Sequence, residues 1–169
     1  ASGKRIGEVL DEKIDITDTD AKYPDLKVKK GSIQFKNLSF RYYKNSEEKV
    51  LDSIDLKIPA KSTVGIIGST GCGKTTLVSM IPRLYDADEG QVLVDDVDVL
   101  DYSLKNLRDG VAMVLQKNVL FSGSIEDNLR WGNENATEEE IIAASKNAQA
   151  DKFISTFKDG YKTDLSQGG

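Results

Sequence analysis

The stretch GSTGCGKTT, residues 68–76, limits the fold more than any other part of this chain. Gly68, Gly73, Lys74 and Thr75 fill every fixed position of the phosphate-binding pattern G-x-x-x-x-G-K-[ST]. Glycines, Gly71 included, let the backbone close around an anion with its N–H groups turned inward. A helix starting near Lys74 aims its positive end at the same point. Lys74 is placed to reach β- and γ-phosphates, and the Thr75 hydroxyl to hold Mg2+. Ser69, Thr70, Cys72 and Thr76 complete the candidate cradle. Cys72 fills a free position of the pattern and reads as filler, because Lys74 is the one evident group that would stabilise its thiolate. The pattern carries this meaning only between a buried strand and a helix. TVGII, 63–67, is a short unbroken apolar run and predicts a strand buried on both faces. The apolar run LVSMIPRLY, 77–85, belongs to the helix that leaves.

At 169 residues the chain has the size of one domain with one real core. Its formal net charge of −5 argues against a nucleic-acid partner, which needs a basic face. No run approaches the roughly 20 apolar residues of a membrane span, and no signal peptide opens the sequence. Cys72 is the only cysteine, so no internal disulfide forms and a reducing compartment fits. There is no histidine, which excludes histidine acid–base chemistry and histidine-ligated metal sites in this chain.

The periodicity divides the rest. Residues 1–12 place Ile6, Val9 and Leu10 at helical spacing, with Ser2 available as a cap. Residues 13–30 are acidic and then basic, with Pro24 in the middle, and read as a linker. From Gly31 the period becomes two: Ile33 and Phe35, then Leu38 and Phe40, then Ile54, Leu56 and Ile58. KNSEEK, 44–49, is a loop between strands. QVLV, 91–94, predicts a strand, LKNLR, 104–108, a short helix, and VAMVLQ, 111–116, another buried strand. Thr137 and Glu140 form a capping box that opens a helix over 138–149. Antiparallel-looking strands come first and strand–loop–helix units follow. This order predicts an α/β nucleotide-binding core with a small antiparallel β subdomain ahead of it.

Further motifs fall in order along the chain. NLSFRY precedes VLDSIDLKIP; LYDADEGQVLVDD and LKNLRDGVAMVLQKNVLFSGSIEDNL follow the loop. Together they resemble, over residues 1–169, the nucleotide-binding domain of ABC transporters of the exporter type. The resemblance implies a P-loop NTPase (RecA-like) core with an N-terminal antiparallel β subdomain, incomplete at the C-terminus. It implies that residues 1–12 are the end of a transmembrane-domain linker helix, 13–30 a linker, and 31–169 the first part of the ATPase domain. By the same resemblance Tyr42 stacks on adenine, as a flat ring can, with Tyr43 a possible substitute. Gln116 becomes the glutamine that reaches Mg2+ and the attacking water, and loop 117–125 touches the transmembrane partner. The implied cofactors are ATP and Mg2+. The implied partners are the transmembrane domain and a second nucleotide-binding domain, at the cytoplasmic face of a membrane. Lys61 and Asp96 stand where that family usually has glycine, and Lys117 where it usually has an acid.

Two stretches imitate motifs of the same family. VLVDD, 92–96, looks like the strand end that carries a metal carboxylate, with Asp95 in that role. Only about twenty residues separate it from Lys74, and the helix after the loop uses about half of them. It reads instead as a hairpin turn. LSQGG, 165–169, has the letters of the LSGGQ signature in another order. The preceding GYKT matches the family's G-Y-x-T, and that register places the signature beyond residue 169, with Gln167 where an acid is usual. The expectation is therefore an ATP-binding part without its signature, its metal carboxylate, its catalytic glutamate and its switch histidine, and without useful turnover alone. The other readings are a non-catalytic nucleotide-binding or docking half-site and a small P-loop kinase. No arginine-rich lid supports the last.

Overall fold

The computed structural model describes residues 2–117 and 119–166. The apolar pairs Ile33/Phe35 and Leu38/Phe40 share one strand, β1 (Ile33–Phe40). It pairs antiparallel with β2 (Leu51–Ile58) on one side and β3 (Glu89–Val94) on the other. β4 (Val97–Asp98) pairs with β3, so the order is β2-β1-β3-β4. The spacing of three between Phe35 and Leu38 breaks a period of two, and the register shifts between them. Asn37 takes a φ of 45° there, and its N–H donates to Asp55 Oδ1 at 2.9 Å. This bulge keeps Phe35, Leu38 and Phe40 all buried. Gly90 lies opposite at φ 81°, where a Cβ would come within 2.2 Å of the Asn37 carbonyl. Only glycine fits that approach.

Helix α2 (Lys74–Ser79) lays Leu77 on the sheet, with Met80 just past its end. Leu51, Val92, Val94, Val99, Tyr102 and Leu107 complete the core. Each fully buried side chain of this size contributes about 1.5–3 kcal/mol. Leu107 comes from α3 (Leu104–Asp109), which is capped by the Ser103 hydroxyl. Residues 18–30, linker-like in composition, are strapped to this unit. Tyr23 bridges Tyr102, the Pro24 carbonyl accepts from Ser103 Oγ and Asn106 Nδ2 at 2.8 Å each, and Leu26 and Val28 pack on the core. Ahead of them, α1 (Ser2–Leu10) takes the expected helical form with Ile6, Val9 and Leu10 exposed.

Two expected strands do not form. TVGII, 63–67, lies in no sheet, with Val64, Ile66 and Ile67 exposed. VAMVLQ, 111–116, likewise joins none, and Val114 and Leu115 are exposed. A strand buried on both faces needs ladder partners for its N–H and C=O groups, and among the described residues none pairs with either run. An apolar hollow of about 400 Å³, lined by Ile33, Val78, Ile81, Val94, Val111 and Met113, lies in the same unit.

The chain divides into two compact units, Ala1–Met113 and Val114–Gly169. In the second, β5 (Gly123–Ser124) pairs antiparallel with β6 (Asp164–Leu165). Helices α4 (Ile125–Arg130), α5 (Glu138–Asn147) and α6 (Asp151–Ile154) complete it. Thr137 and Glu140 form the expected box at the start of α5, with both reciprocal bonds present. Ser124 and Asp127 make a second box at α4, which holds the Asp127 carboxyl below its ordinary pKa through the Ser124 hydroxyl and N–H. Among the described residues no helix is long and apolar enough to cross a membrane.

Candidate nucleotide site

The loop between residue 68 and α2 has the shape its glycines permit. Gly71 and Gly73 sit at φ 84° and 89°. At Gly73 a Cβ would lie 2.9 Å from the Val50 carbonyl, so loop and first sheet touch backbone to backbone. Lys74 Nζ donates to the carbonyls of Gly68 and Ser69 at 2.9 and 2.7 Å, and lies 3.6 Å from Cys72 Sγ. The Thr75 side chain is exposed at the start of α2, while its carbonyl accepts from Ser79 Oγ at 2.7 Å. Thr76, one residue on, is buried.

Tyr42 follows the end of β1. Its ring meets Phe40 edge-on at 5.1 Å and Tyr85 edge-on at 5.3 Å. Its hydroxyl is 2.8 Å from Thr76 Oγ1. Beside the ring is a cavity of about 450 Å³, walled by Tyr42, Tyr43, Ser46, Glu48, Lys49 and Val50 and closed on the loop side by Gly71 and Cys72. Both tyrosines singled out in the sequence thus line it, but among the described residues only Tyr42 is braced by other rings. Lys49 Nζ lies 3.2 Å from Asp52 and 3.3 Å from Glu89. Hydrogen bonds to Asp52 and Glu89 raise its pKa, so the cavity rim carries a firmly protonated ammonium. One end of this hollow offers an aromatic face and the other the glycine loop at Gly71 and Cys72, with the Lys49 ammonium on its wall, an arrangement that fits a base at one end and phosphates at the other.

Asp95 does not serve this site. It forms, with Asp96, the two-residue turn between β3 and β4, both at positive φ (50° and 65°). Its Oδ2 accepts from the N–H groups of Lys29 and Lys30 at 2.7 and 2.8 Å, and its Oδ1 from Ser32 N at 3.0 Å. Burial pushes the carboxyl up, but the backbone donors of Lys30, Lys29 and Ser32 outweigh it and leave its pKa below the ordinary value. The Asp96 and Lys61 positions, where glycine is expected by resemblance, have φ of 65° and 61°, the region glycine enters without strain. Neither the Asp95 clamp nor the Tyr42–Thr76 pair has a signal in the sequence, because each joins segments more than thirty residues apart.

Gln116 belongs to the second unit, exposed on the stretch before residue 119. That unit carries an apolar groove of about 460 Å³ lined by Val119, Leu120, Phe121, Ile125, Leu129, Trp131, Phe153 and Phe157, among others. Phe121 and Trp131 stack at 4.7 Å with an 18° interplanar angle, and both are exposed. Of LSQGG, Leu165 ends β6, while Gln167 and the two following glycines lie outside the described residues.

The family model described as ABC transporter matches residues 51–169. The chain belongs to this family. It is 44% identical over 140 residues to the putative multidrug export ATP-binding/permease protein YgaD of Bacillus subtilis, covering 83% of this chain and 24% of that protein. It is 40% identical over 169 residues to the ATP-dependent lipid A-core flippase of Desulfotalea psychrophila, covering all of this chain and 29% of the flippase. Among solved structures it is similar to a bacterial Atm1-family ABC exporter with ATP bound, with a TM-score of 0.87, 31% identity, and coverage of 98% of this chain and 29% of that one. The P-loop NTPase class expected from the ordered motifs therefore stands, and this chain spans 24–29% of these relatives' lengths.

Proposed function

We propose that this chain is the ATP-binding part of an ABC exporter, in which ATP binding and hydrolysis drive a substrate across a membrane. The observation that carries the reading is the cavity of about 450 Å³ with Tyr42 on one wall and Gly71 and Cys72 on the other. Adenine would lie against the Tyr42 ring, and the phosphates would run toward the loop, where backbone N–H groups and Lys74 meet their charge. The Thr75 hydroxyl would hold Mg2+; the resemblance assigns Gln116, which belongs to the second unit, to the ion and the attacking water. Bound Mg2+ would neutralise charge on the β- and γ-oxygens during in-line transfer. The protein's share is positioning and electrostatics.

On this reading residues 1–12 continue from a transmembrane helix, 13–30 link it to the ATPase part, and the domain works at the cytoplasmic face of the membrane, paired with a second one. The exposed runs 63–67 and 111–116 would gain ladder partners from other parts of a longer protein, over the apolar hollow beside Val78 and Val94. Without those parts this chain alone would turn over ATP slowly. The groove at Phe121 and Trp131, which includes part of loop 117–125, would receive the transmembrane partner.

The test is the affinity of Tyr42→Ala for ATP and for inorganic tripolyphosphate. ATP is expected to weaken by roughly 1–3 kcal/mol, the worth of stacking on an aromatic ring, with tripolyphosphate unchanged. Equal effects on both ligands would sink the reading, and the same loss from Tyr43→Ala instead would move the platform by one residue.

A further inference from the structure

Thr76 is 5% exposed, and a buried hydroxyl requires a partner. A threonine inside a helix commonly bonds a carbonyl one turn back. Ser79 does so in this helix, onto the Thr75 carbonyl. Thr76 does not: among the described residues the partner of its side chain is Tyr42 Oη, at 2.8 Å. Tyr42 is itself half exposed and lines the cavity, so this bond ties a solvent-facing ring to a buried residue of the helix that follows the phosphate loop. Phe40 and Tyr85 brace the same ring edge-on. Tyr43, which lines the cavity too, is 75% exposed and has no aromatic neighbour of this kind among the described residues.

We infer that Thr76 is a positioning residue for base recognition: its hydroxyl holds the Tyr42 ring at a fixed place relative to the phosphate loop. The inference rests on the proposal that Tyr42 carries the adenine. The ring is anchored at two ends, by its backbone after β1 and by its hydroxyl on α2. A ring so held does not need to be ordered when the base arrives, and the ordering cost otherwise lowers affinity. The span from base platform to phosphate cradle is thereby set before binding. A ligand with a base and phosphates joined by a ribose gains from that fixed span. A ligand with phosphates alone does not.

The experiment is a double-mutant cycle in the full-length protein that carries this chain, with ATP and inorganic tripolyphosphate as the two ligands. Thr76→Val keeps the shape and removes the hydroxyl; Tyr42→Phe removes it from the other side. Each is expected to weaken ATP about three- to tenfold, the range of one neutral hydrogen bond, and to weaken tripolyphosphate less. The double variant is expected to bind ATP no more weakly than the weaker single variant, because both remove the same bond. Thr76→Ser, which retains the hydroxyl, is expected to bind ATP as the parent does. Additive losses overturn the inference, since they mean that the two hydroxyls act independently; equal losses for the two ligands overturn it too, since they mean that Thr76 acts on the phosphates directly. If Thr76→Val does not fold, Tyr42→Phe decides alone: unchanged ATP affinity overturns it. A Tyr42→Ala variant that binds ATP normally fails the underlying reading of the site, whereas a weakened Tyr42→Ala beside a normal Thr76→Val fails only this inference.

Discussion

Replacing Asp95 by asparagine separates a structural carboxylate from a metal-binding one. The residue sits at φ 50°, which asparagine tolerates, so the substitution leaves the backbone unstrained. It removes the charge and replaces one of the two acceptor oxygens by an amide NH2. Three backbone N–H groups converge on the carboxylate at 2.7, 2.8 and 3.0 Å. Hydrogen bonds to a charged group contribute about 1.5–3 kcal/mol each at most. Lys29 and Lys30 are exposed, and water takes over their N–H groups once the charge is gone. The loss is therefore expected to be about 1–2 kcal/mol in total. The assay is urea unfolding of the chain across pH. Asp95 has a pKa below its ordinary value in the folded state, so its contribution is fully present above the unfolded carboxylate pKa of about 3.9 and is lost as pH falls through the lower, folded value. The parent and Asp95→Asn curves should be separated at neutral pH and converge in acid. A variant as stable as the parent at neutral pH, yet deaf to Mg2+ in nucleotide binding, would refute the argument and make VLVDD a metal-binding strand end.

Lys74→Ala is expected to weaken ATP by about 1.5–3 kcal/mol through loss of a charge-assisted contact, and AMP by less; titration calorimetry with both nucleotides checks this, and equal losses would place Lys74 away from the β- and γ-phosphates. Asp96→Gly relieves a φ of 65° at the second position of a two-residue hairpin turn. It is expected to stabilise the chain by about 0.5–1 kcal/mol, read as a rise in the urea midpoint, with a similar gain for Lys61→Gly at φ 61°.

The features legible in the sequence are those whose physics is local. The capping box at Thr137 needs four consecutive residues, and it forms as read. The period-two pairs Ile33/Phe35 and Leu38/Phe40 show the inward positions of β1, whereas the bulge at Asn37 that joins them into one strand is seen only in the structure. The phosphate loop is legible because its glycines are required by backbone conformation, as at Gly73. Asp95 reads correctly as a turn from spacing, but its hold on residues 29–32 cannot be read, because that contact spans more than sixty positions. TVGII and VAMVLQ show the opposite limit. Their apolar runs state a preference for double-sided burial, yet a strand exists only with neighbours, and composition names no neighbour. The cavity beside Tyr42 and the hydroxyl pair Tyr42–Thr76 join segments far apart in the chain, and no period or motif encodes either.

The ammonium of Lys74 already has two acceptors, the carbonyls of Gly68 and Ser69. On the proposed reading, a phosphate that claims it would make an exchange, not an addition. What changes is the partner's charge: a pair of carbonyl dipoles gives way to an anionic oxygen, which forms the stronger bond. Affinity at this end of the loop is thus a difference between two occupied states. On the proposed reading, a ligand whose chain of phosphates stops short would leave the lysine with the loop, and discrimination by phosphate number would be a competition for this one ammonium within the loop itself.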